Sequence, residues 1–468
     1  MSHRLSALDA SLLYLEDATT PMHIGGVAVF RTPRNGFDHD RLLTLIEQRL
    51  ALVPRYRQRV LHVPGHLARP VWTDDTDFDI THHVRLSALP RPGTEEQLNH
   101  LVARLMSRPL DHHRPLWEVY LVEGLRRNRF ALVTKTHHAM IDGIGAIEIG
   151  QVILDVSPNA AAREDELWMP EPAPSTLRLV ADAVSEVIRQ PGELVENARS
   201  AASDVASTVQ KVVGAVSGVV SALTTAARPT PSGPLNVPIT AERRFAVARA
   251  GLADLKKIRA AHGGTVNNVV LAVVAGALRS WLMSRGEAVT TGTTVRAMAP
   301  LSVRDEATTT TTAGLVGSKV SAYLVDLPVG EPSPVVRLQH IAHAMLTRSE
   351  AGQPVAADAL VRLGGFAPPT LHALGARAAS AFSQRIFNIL VTNVPGPQVS
   401  LYAAGAKMME MFPVVPLARN QAVSIGVTSY DGGVYFGLNA DRAAMADVDV
   451  LARMVEESVE ELLTTLPE

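Results

Sequence analysis

His137-His138-Ala139-Met140-Ile141-Asp142-Gly143 is the stretch whose reading decides the fold. Before it, Phe130-Ala131-Leu132-Val133-Thr134-Lys135-Thr136 is rich in β-formers and reads as a strand. After it, Ile144 to Leu154 places apolar residues at helical spacing. The heptapeptide therefore sits where a strand ends and a helix begins. A side chain there can project into a cleft while the backbone stays anchored. A free imidazole titrates at about 6.5, so much of it is an unprotonated base at neutral pH. One such base can take a proton from an alcohol or amine as that group attacks a carbonyl, and return it to the leaving group.

Side chains alternate along an extended chain, so adjacent histidines cannot both face one substrate. His138 is the expected base and His137 the packing or orienting residue. Asp142, four residues on, can hydrogen-bond the imidazole or hold an arginine from elsewhere. Gly143 permits a positive φ or a close backbone approach. Two other readings stay open on spacing alone. In one, the histidines are hydrogen-bonded core residues and Asp142 caps the next helix. In the other, His138 and Asp142 share a helix face as metal ligands, although no further ligand cluster lies nearby. The pairs His82-His83 and His112-His113 lack the following Asp-Gly. His82-His83 sits amid Asp74, Asp75 and Asp79 and reads as solvated surface; His112-His113, before Arg114-Pro115, reads as a loop.

A chain of 468 residues is long for one core, so two units are expected. Apolar residues make up 47%, enough for both cores with some left for lipid contact. The net charge of −2 gives no electrostatic footprint for nucleic acid. Lys256, Lys257 and Arg259, or Arg55, Arg57 and Arg59, are local basic clusters that could meet a phosphate, with solvated surface as the plainer role. The absence of cysteine excludes disulfides, thiolate-metal sites and a cysteine nucleophile. There is no Gly-x-Ser-x-Gly elbow and no P-loop. Together these absences favour a base acting without an enzyme nucleophile. The start of the chain, with Arg4, Asp9, Glu16 and Asp17, does not read as a secretory signal. Longer uncharged runs are broken by Pro, Asn or Gly, so no membrane span is expected. The expected location is cytoplasmic.

Residues 1–168 mix strands with helices such as Arg41 to Leu52 and Glu95 to Met106. A Pro-bounded linker, 169–238, opens on Met169-Pro170-Glu171-Pro172-Ala173-Pro174. Inside it, Leu194, Ala198, Ala202, Val205, Val209, Val212, Val216, Val219 and Leu223 form one helical stripe. That stripe suits an interdomain helix packed on the body of the protein, or a lipid-facing one. In residues 239–468, strands are expected at Phe245–Ala248, Val320–Leu327, Ile389–Thr392, Ala422–Thr428 and Val434–Leu438. Helices are expected at Leu252–Ala261, Val269–Met283 and Ala444–Leu463. Alternating strands and helices in both parts indicate α/β layers.

The His-His-x-x-x-Asp-Gly form is shared by the CoA-dependent acyltransferase superfamily. Further segments narrow the resemblance. They are Leu8-Asp9-Ala10-Ser11 with Thr19-Thr20-Pro21-Met22-His23-Ile24-Gly25, Pro115-Leu116-Trp117, Asn267-Asn268-Val269-Val270-Leu271-Ala272, Pro300-Leu301-Ser302-Val303-Arg304, and Asn393-Val394-Pro395-Gly396-Pro397. In this order they resemble the bacterial wax ester synthase/diacylglycerol acyltransferase family over nearly the whole chain. One departure is plain: Asn268 stands where that family usually has Asp.

The resemblance implies two chloramphenicol-acetyltransferase-like domains with the active site at their interface. It implies acyl transfer from a fatty acyl-CoA co-substrate to diacylglycerol or a long-chain alcohol, with no cofactor, no metal and no covalent acyl-enzyme. By resemblance His138 is the general base, His137 and Asp142 support it, and Asn267 lies close by. Gly143 and Arg304 are candidates for substrate contact, with Arg304 also a possible partner of Asp142. A neutral-lipid substrate implies visits to the inner membrane or a lipid-inclusion surface. The rivals are a carrier-protein-dependent condensation enzyme and a non-catalytic lipid-droplet protein. The capping, turn and strand-end roles open to Asn267, Asn393–Pro397 and Pro300–Arg304 remain beside these functional ones.

Overall fold

A computed structural model describes residues 3–140, 149–159, 168–189, 233–303, 319–350 and 387–467. Asp142, Gly143, Arg304 and the stripe from Leu194 to Leu223 lie outside them. The first part carries strands β1 (His3–Arg4), β2 (His23–Arg31), β3 (Gln58–Leu61), β4 (Val71–Asp74), β5 (Val84–Ala88), β6 (Trp117–Leu125) and β7 (Arg129–His137). The second carries β8 (Arg243–Gly251), β9 (Val295–Val303), β10 (Lys319–Leu327), β11 (Ile389–Pro395), β12 (Tyr402–Ala403), β13 (Ala406–Val414), β14 (Val423–Tyr430) and β15 (Gly433–Asp441).

They form two six-stranded mixed sheets, in the orders β12-β13-β2-β7-β6-β5 and β10-β9-β11-β14-β15-β8, beside a small β1-β4-β3 sheet. The expected strands of the second part all appear, as do its helices, at Leu252–His262, Val266–Ser284 and Val448–Leu463.

In the first large sheet, β6 and β7 form a hairpin whose turn bends through positive φ at Arg127 and Asn128. Alternation then sorts the side chains. Phe30, Leu121 and Leu132 join one core with Trp117 and the helix His39–Leu50. Val29, Val122, Ala131 and Val133 join another, beneath the helix Glu95–Met106. That helix forms as the sequence predicts. A reciprocal capping box of Thr94 and Gln97 starts it, acidic residues fill its first turn, and Arg104 lies in its last.

β12 and β13 were not legible as part of the first sheet. Residues 402–414 belong by sequence to the second half, yet β13 pairs antiparallel with β2, placing Phe412 opposite Val27 and Val414 opposite Gly25. The crossing brings backbone against backbone. A side chain at Gly437 of β15 would lie 1.9 Å from the Pro413 carbonyl oxygen, so only glycine fits there. Phe412 packs edge-on against Tyr435 at 5.3 Å. Phe245 of β8 enters the core beneath the helix Glu95–Met106, whereas its neighbours Ala246 and Ala248 face the second core. The two sheets thus share apolar contacts.

The second core is built round the helix Val266–Ser284, buried on nearly every side. It is also the one candidate among the described residues that is long and apolar enough to span a membrane. Its position explains its composition: a helix apolar all round needs an apolar environment, and here the sheet and the helix Val448–Leu463 supply it.

Candidate active site

β7 ends at His137, which lies opposite His23 of β2. β2 can approach closely because position 25 is glycine: a Cβ there would stand 2.4 Å from both the Thr134 carbonyl oxygen and the Met106 side chain. Lys135, on the same face as His137, is buried and donates from Nζ to the Leu105 carbonyl at 3.2 Å. His23 Nε2 is 2.9 Å from the Met106 carbonyl oxygen. Both bond to carbonyls in the last turn of the helix Glu95–Met106. Burial, with the Lys135 charge beside it, holds the His23 imidazole well below its ordinary pKa.

The chain then turns sharply through His138–Met140. The His137 N–H donates to the Leu116 carbonyl at 2.9 Å, and the His138 N–H to Met22 at 2.8 Å. The Pro115-Leu116-Trp117 and Thr19–Gly25 elements thereby clamp the backbone of the histidine pair. The two side chains differ in burial. His137 is fully buried, and His138 keeps part of its surface accessible.

His137 Nδ1 accepts from the Ala139 N–H at 3.1 Å. A neutral His137 ring therefore carries its proton on Nε2, which lies 3.4 Å from Glu16 Oε2. The same oxygen is 2.7 Å from His112 Nε2. Glu16 is the residue that closes the helix Ala7–Leu15. Burial alone raises the Glu16 carboxyl, but the imidazoles of His112 and His137 close beside it outweigh that effect, leaving the group well below the usual carboxylate range. The Glu16 carboxylate beside it pushes His112 up. Burial pushes His137 down, with Glu16 opposing. The arrangement is an anionic carboxylate between a histidine that favours its charged form and one that favours its neutral form.

Asn267 is brought to Asn393 and not to an orphan helix start. Its Oδ1 accepts from Asn393 Nδ2 at 3.0 Å. The helix cap is Thr265, whose Oγ accepts from the Asn268 N–H at 3.2 Å while Asn268 Oδ1 accepts from the Thr265 N–H at 2.8 Å. The amide oxygen of Asn268 thus performs a capping contact that a carboxylate there would also make. Asn393 lies on β11, beside β14 and β9, so the Asn393–Pro397 and Pro300–Val303 segments share a sheet. Asp142, Gly143 and Arg304 are outside the described residues.

Two expectations need correction. His83 is not solvated surface: it is buried, stacks on Trp117 at 4.6 Å, and has its Nδ1 2.8 Å from the Trp117 carbonyl oxygen. Asp79 stays exposed and Asp74 half-buried, while Asp75 is buried and the short helix Ile80–His83 carries its last residue inward. His112 lies in the expected loop, yet reaches the site through Glu16. Arg55 and Arg57 are half-buried, lying over the rings of Trp72 and Trp168. Lys256, Lys257 and Arg259 are exposed, as read. Glu16, His23, His112 and Lys135 are polar residues of this neighbourhood that the sequence reading did not place there. The available signal was the nearness of Glu16 to the Thr19–Gly25 element. Among the described residues, no group of three or more acidic or histidine side chains is arranged to hold a metal ion.

Residues 5–270 match the wax ester synthase/diacylglycerol acyltransferase catalytic domain, and residues 316–463 match the C-terminal domain of the same enzymes. The chain belongs to the wax ester synthase/diacylglycerol acyltransferase family. It is 34% identical over 466 residues to a Mycobacterium tuberculosis protein named "Probable diacyglycerol O-acyltransferase tgs1", covering 99% of this chain and 96% of that one. A second relative from that organism, "Probable diacyglycerol O-acyltransferase tgs3", is 48% identical over 261 residues, covering 56% of this chain and 96% of its own. A solved wax ester synthase/diacylglycerol acyltransferase from Marinobacter aquaeolei VT8 superposes with a TM-score of 0.69 at 28% identity, over 98% of each chain. The first condensation domain of the CDA synthetase shares the fold, with a TM-score of 0.56 at 15% identity over 100% of this chain and 97% of that one. This wax ester synthase/diacylglycerol acyltransferase family member therefore has the mixed α/β, two-sheet architecture that the resemblance implied.

Proposed function

We infer that this protein is an O-acyltransferase that moves an acyl group from a fatty acyl-CoA to diacylglycerol or a long-chain alcohol, forming triacylglycerol or wax ester. Family membership over the whole chain supports the reaction. The observation that carries the mechanism is the difference in burial within the histidine pair: His137 fully buried and held by its neighbours, His138 half-buried at the strand end.

In this reading the His138 ring takes the acceptor hydroxyl proton as the oxygen attacks the thioester carbonyl. A C–O bond forms and the carbonyl pair moves onto oxygen. Collapse breaks the C–S bond, and the proton returns to the CoA thiolate. Asn267 is the proposed donor to the oxyanion. Its Oδ1 is already engaged by Asn393, which leaves its amide N–H groups to point elsewhere. Asp142 is proposed as a support of the site, with Gly143 and Arg304 toward substrate. The active site is proposed to lie between the two sheets, with acyl-CoA and lipid alcohol entering from opposite sides. Acyl-CoA is a co-substrate, and direct attack requires no cofactor.

A substrate with long chains partitions into lipid. The proposed setting is therefore a cytoplasmic protein peripheral to the inner membrane or to lipid inclusions. Carrier-protein-dependent condensation shares the fold, but the ordered elements outside the heptapeptide favour the lipid acyltransferase. The test is release of free CoA thiol from palmitoyl-CoA with dioleoylglycerol or hexadecanol, with product mass as readout. Ester formation from either acceptor is expected. No turnover with any alcohol, together with droplet binding, supports the non-catalytic alternative and overturns the reading.

A further inference from the structure

Behind the histidine pair lies a carboxylate that the reaction as written does not use. Glu16 retains only 10% of its side-chain exposure, yet its carboxyl is held well below the usual carboxylate range by the two imidazoles beside it. Its two partners come from distant parts of the chain: His112 from the loop before β6 and His137 from the end of β7. Burying a carboxylate is costly unless it is paired, so the placement is not a neutral packing choice.

The geometry has a direct consequence for the backbone carrying His138. With Glu16 facing Nε2, His137 keeps its proton on that nitrogen and its lone pair on Nδ1. That lone pair accepts the Ala139 N–H. The turn that presents His138 is thus pinned from one side by His137 Nδ1 and from the other by the Met22 carbonyl. If Nδ1 were protonated, it could not accept, and the 138–139 backbone would lose that fixing.

We propose that Glu16, braced by His112, is a positioning residue for acyl transfer: it fixes the tautomer of His137 and so holds the turn that aims His138. This rests on the reading of His138 as the base. Among the described residues, the titratable groups paired with Glu16 are His112 and His137. His23, Lys135 and Glu118 lie further along the same buried polar layer, with Lys135 Nζ 3.5 Å from Glu118 Oε2.

The experiment compares Glu16→Gln, Glu16→Ala and Glu16→Asp with wild type and His138→Ala in the full chain, using palmitoyl-CoA and hexadecanol. Glu16→Gln keeps the shape and removes the charge. It is expected to lower kcat at least tenfold while KM for palmitoyl-CoA stays within twofold, with a melting temperature near wild type. Glu16→Asp is expected to recover part of that kcat, and Glu16→Ala none. The ¹⁵N resonances of His137 are expected to report Nε2 protonation in wild type and a mixture of tautomers in Glu16→Gln.

Wild-type kcat in a folded Glu16→Gln protein, or an unchanged His137 tautomer, overturns the inference. His138→Ala separates the two failures. If it abolishes turnover while Glu16→Gln does not, only the positioning role is lost. If His138→Ala stays active, the base assignment falls instead. Should Glu16→Gln not fold, Glu16→Asp and His112→Asn carry the same kcat and tautomer test.

Discussion

Asn393 donates to the Asn267 side chain across 3.0 Å, joining a β-strand end to the first turn of the core helix. The contact links two segments that the sequence marks separately. It also fixes which end of the Asn267 amide faces outward. If that end stabilises the oxyanion, Asn267→Ala lowers kcat by about 100-fold with little change in melting temperature. Asn267→Asp, which keeps the acceptor for Asn393 but removes the donor, is expected to be nearly as impaired. Asn393→Ala is expected to be milder, and the double variant no worse than Asn267→Ala alone. Steady-state kinetics on the four proteins checks this; independent, additive losses contradict it.

The unusual residue beside it makes a separate prediction. Asn268 Oδ1 caps the helix through the Thr265 N–H, so replacement by Asp preserves the acceptor and adds a charge favoured by the helix dipole. Asn268→Asp is expected to leave stability unchanged or to raise it by up to about 1 kcal/mol. Thr265→Ala is expected to cost about 1 kcal/mol through the lost cap. Urea denaturation measures both, and a strongly destabilised Asn268→Asp protein contradicts the capping account.

Acid stability follows from the buried histidines. Burial pushes His83 down to about 4 from its ordinary 6.5. A histidine depressed in the folded state stabilises fully above its unfolded value, and that contribution is lost as pH falls through the folded one. His23 and His137 shift in the same direction. Glu16, also depressed, adds a further loss below its ordinary 4.5. His112 runs the other way: its contribution is present below 6.5 and is lost as pH rises through its elevated folded value. The melting temperature is expected to fall steadily from pH 6.5 toward 4, and His83→Phe to flatten part of that slope. A parallel slope in the variant contradicts the assignment.

A charged contact across the two halves gives another test. Arg249 of β8 donates from Nε to Glu410 of β13 at 2.6 Å and pairs with Glu95 at the start of the helix Glu95–Met106. The guanidinium also lies over the Phe412 ring. Arg249 is one-third exposed, so the ion pairs alone contribute at most about 1 kcal/mol each. Arg249→Met, which keeps an apolar stem over Phe412, is expected to melt only slightly below wild type, with Arg249→Ala clearly lower. Equal losses in both variants show that charge outweighs packing there.

Local patterns carried the strands and helices of the second half and the strand–turn at His137, because continuous runs of β-formers and apolar residues mark buried segments there directly. They did not carry β13. Met408, Met409, Glu410 and Met411 lack the β-branched alternation of a strand, and only pairing with β2 makes them one. They did not carry Glu16 either, since its partners are set by where one helix ends and where a distant loop passes. His83 shows the same limit in reverse. Its acidic surroundings in sequence suggested solvent, but the stacking surface of Trp117 decides its place.

The central claim is that the half-buried imidazole of His138 is the base. The direct measurement is turnover of palmitoyl-CoA and hexadecanol by His138→Ala, alongside its circular dichroism and melting curve. Loss of ester formation by a protein that melts like wild type is the result expected. A well-folded variant that keeps more than a few per cent of wild-type turnover contradicts the account.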